Sequence, residues 1–121
     1  MNNTKRGLTS YKAGQSAECI VERDYISRGH SLAARRFRKS SGEIDLILRK
    51  CGVVIFVEVK KSKSHALAAQ SVSRRQLARI YTGATEFLAD EPDGQDTPAR
   101  IDVALVDAEG RVECLENVYT S

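Results

Sequence analysis

The stretch "GEIDLILRKCGVVIFVEVKK", residues 42–61, constrains the fold more than any other. Two largely apolar runs flank Cys51-Gly52, and a two-residue loop with glycine second suits a tight hairpin, although cysteine is not a favoured first residue there. The run "VVIFVEV" is apolar on both pleat faces over most of its length, which predicts a central strand. Glu43, Asp45, Glu58 and Lys60 interrupt this pattern. Charged side chains are seldom fully buried unless paired or bound to something, because taking them out of water is costly.

A turn at Cys51-Gly52 pairs Lys50 with Val53. Counting outward, Asp45 then stands opposite Glu58, and Glu43 opposite Lys60. Side chains alternate across a strand, so all four charges share one face, and a one-residue slip would push them into the apolar face. Two carboxylates set opposite each other repel unless something neutralises them. Lys60 offsets part of the repulsion; a hard divalent cation with oxygen ligands, Mg²⁺ or Mn²⁺, does so better. Glu18 and Glu22, one turn apart on the preceding helix, are further carboxylates within the same reading. The alternative is plainer: Glu58 and Lys60 salt-bridge across an ordinary strand face near its end. Spacing alone leaves both readings open.

Elsewhere the pattern predicts a helix from about Tyr11 to Ser27, with Ala13, Ala17, Ile20 and Val21 at helical spacing and Gly29 as a stop. "AARRFRKS" (33–40) reads as a strand, followed by strands at 43–50 and 53–60 and a polar connection, "KSKSHALAAQS". From Ser71 to Ala89, Val72, Leu77, Ile80, Tyr81, Ala84, Phe87 and Leu88 trace one helical stripe. After the loop "DEPDGQDTP" come strands in "RIDVALVD" and "RVECLENV". The order helix, three strands, helix, two strands predicts an α/β layered domain over residues 11–121, behind a polar and mobile leader at 1–10.

The net charge of +3 is unevenly spread. Residues 1–64 carry 14 Lys/Arg against 6 Asp/Glu (+8), and residues 65–121 carry 5 against 10 (−5). Such asymmetry favours a polyanionic partner on one surface. The three cysteines and two histidines form no zinc pattern, which points to free thiols in a reducing cytoplasm. No stretch approaches the ~20 apolar residues that span a bilayer, so no membrane partner is expected.

Asp45, thirteen residues before Glu58-Val59-Lys60, resembles the D…ExK signature of the PD-(D/E)xK nuclease superfamily, which includes restriction endonucleases and Holliday junction resolvases. More closely, "GQSAE" (14–18), "GEIDLI" (42–47) and "FVEVK" (56–60) resemble the bacterial YraN family of uncharacterised endonuclease-like proteins, over about Ala13 to Val118. The resemblance implies a restriction endonuclease-like three-layer α/β fold, with a mixed central sheet of about five strands flanked by helices in the order α-β-β-β-α-β-β. It implies that Asp45, Glu58 and the Val59 carbonyl hold Mg²⁺ or Mn²⁺. Lys60 then orients or polarises the attacking water, and Glu18 matches the auxiliary acid of the resolvase-like branch. Ile44 stands in place of the motif's proline, and Lys61 where YraN-like sequences usually have threonine.

The expected activity is metal-dependent hydrolysis of DNA, on branched or repair and recombination substrates. The rival class is a nucleic-acid-binding module of the same fold that acts through a partner enzyme. Arg35, Arg36, Arg38, Lys39, Lys61 and Lys63 are the candidates for phosphate contacts, which position nucleic acid without reading sequence. Arg74, Arg75 and Arg79 read as solvated helix charges. Tyr25 and Tyr81 read as edges of the core, and His30 and His65 carry little weight. Resolvase-like nucleases cut two strands symmetrically, so a homodimer is expected, although no interface stripe is visible.

Overall fold

A computed structural model of the chain describes residues 16–40 and 42–118. The leader at 1–10, the expected first turns of the helix at 11–15, and Ser41 lie outside the described residues.

Helix α1 runs Ala17–Ser27, and the Ser16 hydroxyl accepts from the Cys19 N–H at its start. Its buried residues are Ala17, Val21 and Tyr25, four apart, so a single stripe faces the sheet. Gly29, at φ +89°, takes the left-handed backbone that ends the helix. Strands β1 (Ser31–Lys39), β2 (Gly42–Lys50) and β3 (Val53–Lys61) follow. The polar connection contains a short helix, α2 (His65–Gln70), capped by Ser64. Then come α3 (Arg74–Leu88), β4 (Ala99–Val106) and β5 (Val112–Leu115). The five strands form one mixed sheet in the order β1-β2-β3-β4-β5, with β3 and β4 parallel and the other neighbours antiparallel. The expected architecture is therefore present, and β3 is central, as its two-sided apolar pattern requires.

The β2–β3 turn adopts positive φ at both Cys51 (52°) and Gly52 (80°), the type I′ geometry that matches strand twist. Holding cysteine there costs about 1–2 kcal/mol, which explains its rarity at that position.

Each sheet face has its own core. On one, Ala17, Val21 and Tyr25 of α1 pack on Leu46, Leu48, Ile55, Val57, Ala104 and Val106. On the other, Ile80, Ala84 and Leu88 of α3 pack on Ile44, Ile47, Val54, Phe56 and Ile101. Ala68 of α2 covers Val103 and Leu105 on that same face. Three layers result.

One irregularity positions the site. Strict alternation would put Ile44 and Ile47 on opposite faces, yet both lie in the α3-side core. Ala34 and Phe37, likewise three apart, pack against that same core. Beyond a register shift between Leu32 and Ala34, the β1–β2 register is the same on both sides of this step, with Arg35 opposite Leu46 and Phe37 opposite Ile44. Both strands therefore rotate by one step at the same level, between these pairs, where Arg36 and Asp45 sit. Arg36 accordingly has φ 48°, a conformation uncommon for a non-glycine residue. The rotation releases Asp45 from the regular pleat.

Candidate metal site

The hairpin register counted from the sequence holds from Lys50↔Val53 to Leu46↔Val57. The ladder ends there, and Asp45 and Glu58 do not continue it as a backbone pair. Instead the Asp45 Oδ2 accepts the Val59 N–H at 2.8 Å. A carboxylate thus replaces the backbone carbonyl that a continued ladder would supply, which fixes one of its oxygens and holds the strand ends at a set separation. Glu43, expected opposite Lys60, pairs in register with Arg38 on the other side, while Lys60 lies beside Leu105 of β4.

Glu58 is 8 % exposed. Its carboxyl is pushed up to about 8, first by burial and then by its hydrogen bond to Asp45 and the charge of that neighbour; Lys60 and the Val59 backbone pull the other way without prevailing. The pair therefore holds a proton to a higher pH than a free carboxyl does. Lys60 is half-buried on the same face and close enough for its charge to act on Glu58. This is a carboxyl pair short of positive charge. Two hard oxygen donors needing neutralisation fit Mg²⁺ or Mn²⁺.

Not every expected residue joins them. Among the described residues no three His, Cys, Asp or Glu side chains form a metal-holding group, so the carboxylates come as a pair. Glu18 stands half-buried in the first turn of α1, the helix that packs on the opposite sheet face from α3. Glu22 is taken by Arg35, whose guanidinium grips both its oxygens at 2.7 and 2.9 Å. Of the expected phosphate contacts, Arg35 is therefore committed to α1, and Lys39 lies 3.8 Å from Asp90. Arg36, Arg38 and Lys63 are exposed, as is Lys61 at the end of β3.

His65 is bound elsewhere, with Nε2 2.8 Å from the Arg111 carbonyl and Nδ1 3.1 Å from Glu113. His30 is buried against Tyr25, and burial lowers its pKa. Tyr25 is fully buried rather than an edge residue, while Tyr81 is 45 % exposed.

Two features escaped the sequence reading. Gln76 and Arg79 of α3 line a cavity of about 90 Å³ together with Gly42, Glu43, Glu58 and Ile80. Their signal was present: both flank Ile80, at i−4 and i−1, on the margin of the apolar stripe. The other is Asp102, fully buried within "RIDVALVD". It carries the same signature as Asp45, an acid inside an apolar strand.

The family model for the uncharacterised protein family UPF0102 matches residues 17–106, spanning α1 through β4 and both site carboxylates. The chain belongs to UPF0102. A UPF0102 protein of Cereibacter sphaeroides is 61 % identical over 115 residues, covering 95 % of this chain and 98 % of that protein. Another from Ruegeria pomeroyi is 54 % identical over 114 residues, covering 94 % and 93 %. A third, from Dinoroseobacter shibae, is 43 % identical over 113 residues, covering 93 % and 84 %. The YraN resemblance is thus met by a family match over residues 17–106, and these UPF0102 relatives are bacterial. No described helix is long and apolar enough to cross a membrane.

Proposed function

We propose that this UPF0102 protein is a metal-dependent nuclease that hydrolyses DNA phosphodiester bonds. The observation that carries this reading is the Asp45–Glu58 pair, with Lys60 beside it on the same face at the C-terminal end of β3. Ligands of open α/β sheets gather at the C-terminal ends of parallel strands, and β3 is one of the two parallel strands here.

Mg²⁺ or Mn²⁺ held by Asp45 and Glu58 would supply Lewis-acid polarisation of a phosphoryl oxygen and an acidified water. Asp45 is preset for holding it, because the Val59 N–H fixes its orientation before anything binds. Glu58 must give up its proton to serve as a ligand, so metal affinity rises with pH. Lys60 acts by its charge on Glu58 and stands where negative charge would develop on the phosphate, a preorganised stabilisation that needs no rearrangement during reaction. Phe56, on the same strand face as Glu58, and Ile80, which lines the cavity with it, are both buried.

Wild type and Asp45→Ala are to be incubated with branched, single-stranded and duplex DNA in Mg²⁺ and in Mn²⁺. Cleavage by wild type alone supports the reading; equal activity in both proteins sinks it. A second reading, binding without cleavage on behalf of a partner enzyme, is favoured by one observation: a third carboxylate does not join the pair among the described residues. DNA retention with no cleavage in any metal selects that alternative.

A further inference from the structure

We propose that the first turns of α3 form the phosphate-binding wall of this site, with the Arg79 guanidinium and the Gln76 carboxamide gripping the sugar–phosphate backbone beside the Asp45–Glu58 pair. The inference rests on the nuclease reading and adds which side chains hold the strand and from which side it enters.

Ile80, only 3 % exposed, anchors this part of α3 on the sheet, and Gln76 and Arg79 flank it in helical spacing. Both therefore line the same cavity as Glu58. Arg79 is exposed and has no hydrogen bond or ion pair among the described residues, although Glu43 and Glu58 line the cavity with it. A free arginine beside two acids departs from the ordinary outcome, an ion pair, and leaves its five donors available to a ligand. The guanidinium fork matches two oxygens of a phosphate. Across the cavity, Gly42 has open space where a side chain would be, so a backbone can approach β2 closely.

Size narrows the ligand. About 90 Å³ is far below the roughly 300–1,000 Å³ of a site for a drug-sized molecule, and suits a phosphate group with its ion. A second cavity between α3 and the start of β4, about 240 Å³, is a poorer candidate because two of its polar side chains are already engaged. Gln95 donates to the Thr85 carbonyl there, and Thr97 to that of Gly94. Charge placement agrees as well. Arg74 and Arg75 open α3 with no acidic residue in its first turn, whereas Arg35 of β1 is held by Glu22. The strand thus enters along the α3 side of the sheet.

The test measures binding of fluorescein-labelled forked and duplex DNA by anisotropy in EDTA, between about 50 and 200 mM salt, using the full chain. Arg79→Ala weakens binding about tenfold and lowers the salt slope by about one, as loss of one phosphate contact should. Arg79→Lys keeps the slope while recovering only part of the affinity. Gln76→Ala weakens binding less and leaves the slope unchanged, because the amide is neutral. Arg35→Ala changes neither. In Mn²⁺, Arg79→Ala raises KM with kcat held within about threefold, the pattern of lost uniform binding. Wild-type affinity and slope in Arg79→Ala, with cleavage still abolished by Asp45→Ala, would overturn this inference alone. A wild type that neither binds nor cuts any of these DNAs overturns it together with the nuclease reading.

Discussion

Asp102 and Glu58 are both buried acids in apolar strands, on the adjacent β4 and β3, and their surroundings are opposite. Asp102 accepts from the Tyr25 hydroxyl at 2.8 Å, the Arg100 guanidinium at 3.0 Å and the Asn117 N–H at 3.0 Å. A cation and two neutral donors satisfy it, and burial together with the Asp102 charge pushes the Tyr25 hydroxyl pKa well up, keeping it a donor. Glu58 has a second acid for its neighbour, and Lys60 only partly offsets the repulsion. A buried acid with complete partners pins a fold; here it ties α1 to β4. A buried acid whose partner is another acid is costly by itself, and such sites are where function is to be sought.

The largest effect that tests this contrast is on cleavage. Glu58→Gln keeps shape but loses the anionic ligand, and should lower Mn²⁺-dependent cleavage on the order of a thousandfold. Asp102→Asn, assayed on the folded fraction, should keep specific activity near wild type. Comparable losses per folded molecule would erase the distinction.

On stability the ranking reverses. Asp102→Ala leaves the buried Tyr25 hydroxyl without its acceptor, while the partly exposed Arg100 keeps Glu116, and should cost about 1–3 kcal/mol, read from the urea midpoint. Glu58→Gln should cost far less, and above neutral pH it should stabilise the metal-free protein.

A pH series sharpens the point. The Glu58 pKa is raised from 4.5 to about 8 on folding, so the native state holds a proton that the unfolded chain releases. Metal-free wild type therefore loses stability as pH rises from about 4.5 to about 8, and Glu58→Gln removes that slope. Adding Mn²⁺ should reverse the loss at the upper end, because the metal binds the deprotonated pair. Melting temperatures across this range, with and without Mn²⁺, provide the measurement. A wild-type slope that survives Glu58→Gln would assign it to other groups.

The smallest effect belongs to Arg35. Its side chain is 63 % exposed although it grips Glu22 in two places. Exposed pairs of this kind contribute little, so Arg35→Ala should leave the melting temperature near that of wild type. A clear drop would mean that this pair helps seat α1.

Much of the fold was legible because local patterns agree with the final structure. Period-two alternation around a Cys-Gly turn set the β2–β3 register correctly through Leu46↔Val57. The apolar stripe located α3, and the two-sided run located β3 at the centre. The same counting failed by one step at Asp45, because alternation assumes that the pleat continues. There β1 and β2 rotate together, and the need comes from packing Phe37 and Ile44 on the α3-side core, a requirement spread over three elements.

By itself, then, the sequence determined the five strands, the two long helices, their order and the nearness of Asp45 to Glu58, since each depends on spacing within one or two neighbouring segments. It did not determine the short helix α2 within the polar connection. Only the tertiary structure decided what each charge faces. Docking of α3 through Ile80, Ala84 and Leu88 brings Gln76 and Arg79 to the cavity beside Glu58. Docking of α1 takes Arg35 away to Glu22 and gives Asp102 its hydroxyl donor. Such partners lie far apart in the chain, and they meet only because each sheet face must be covered by its own helices.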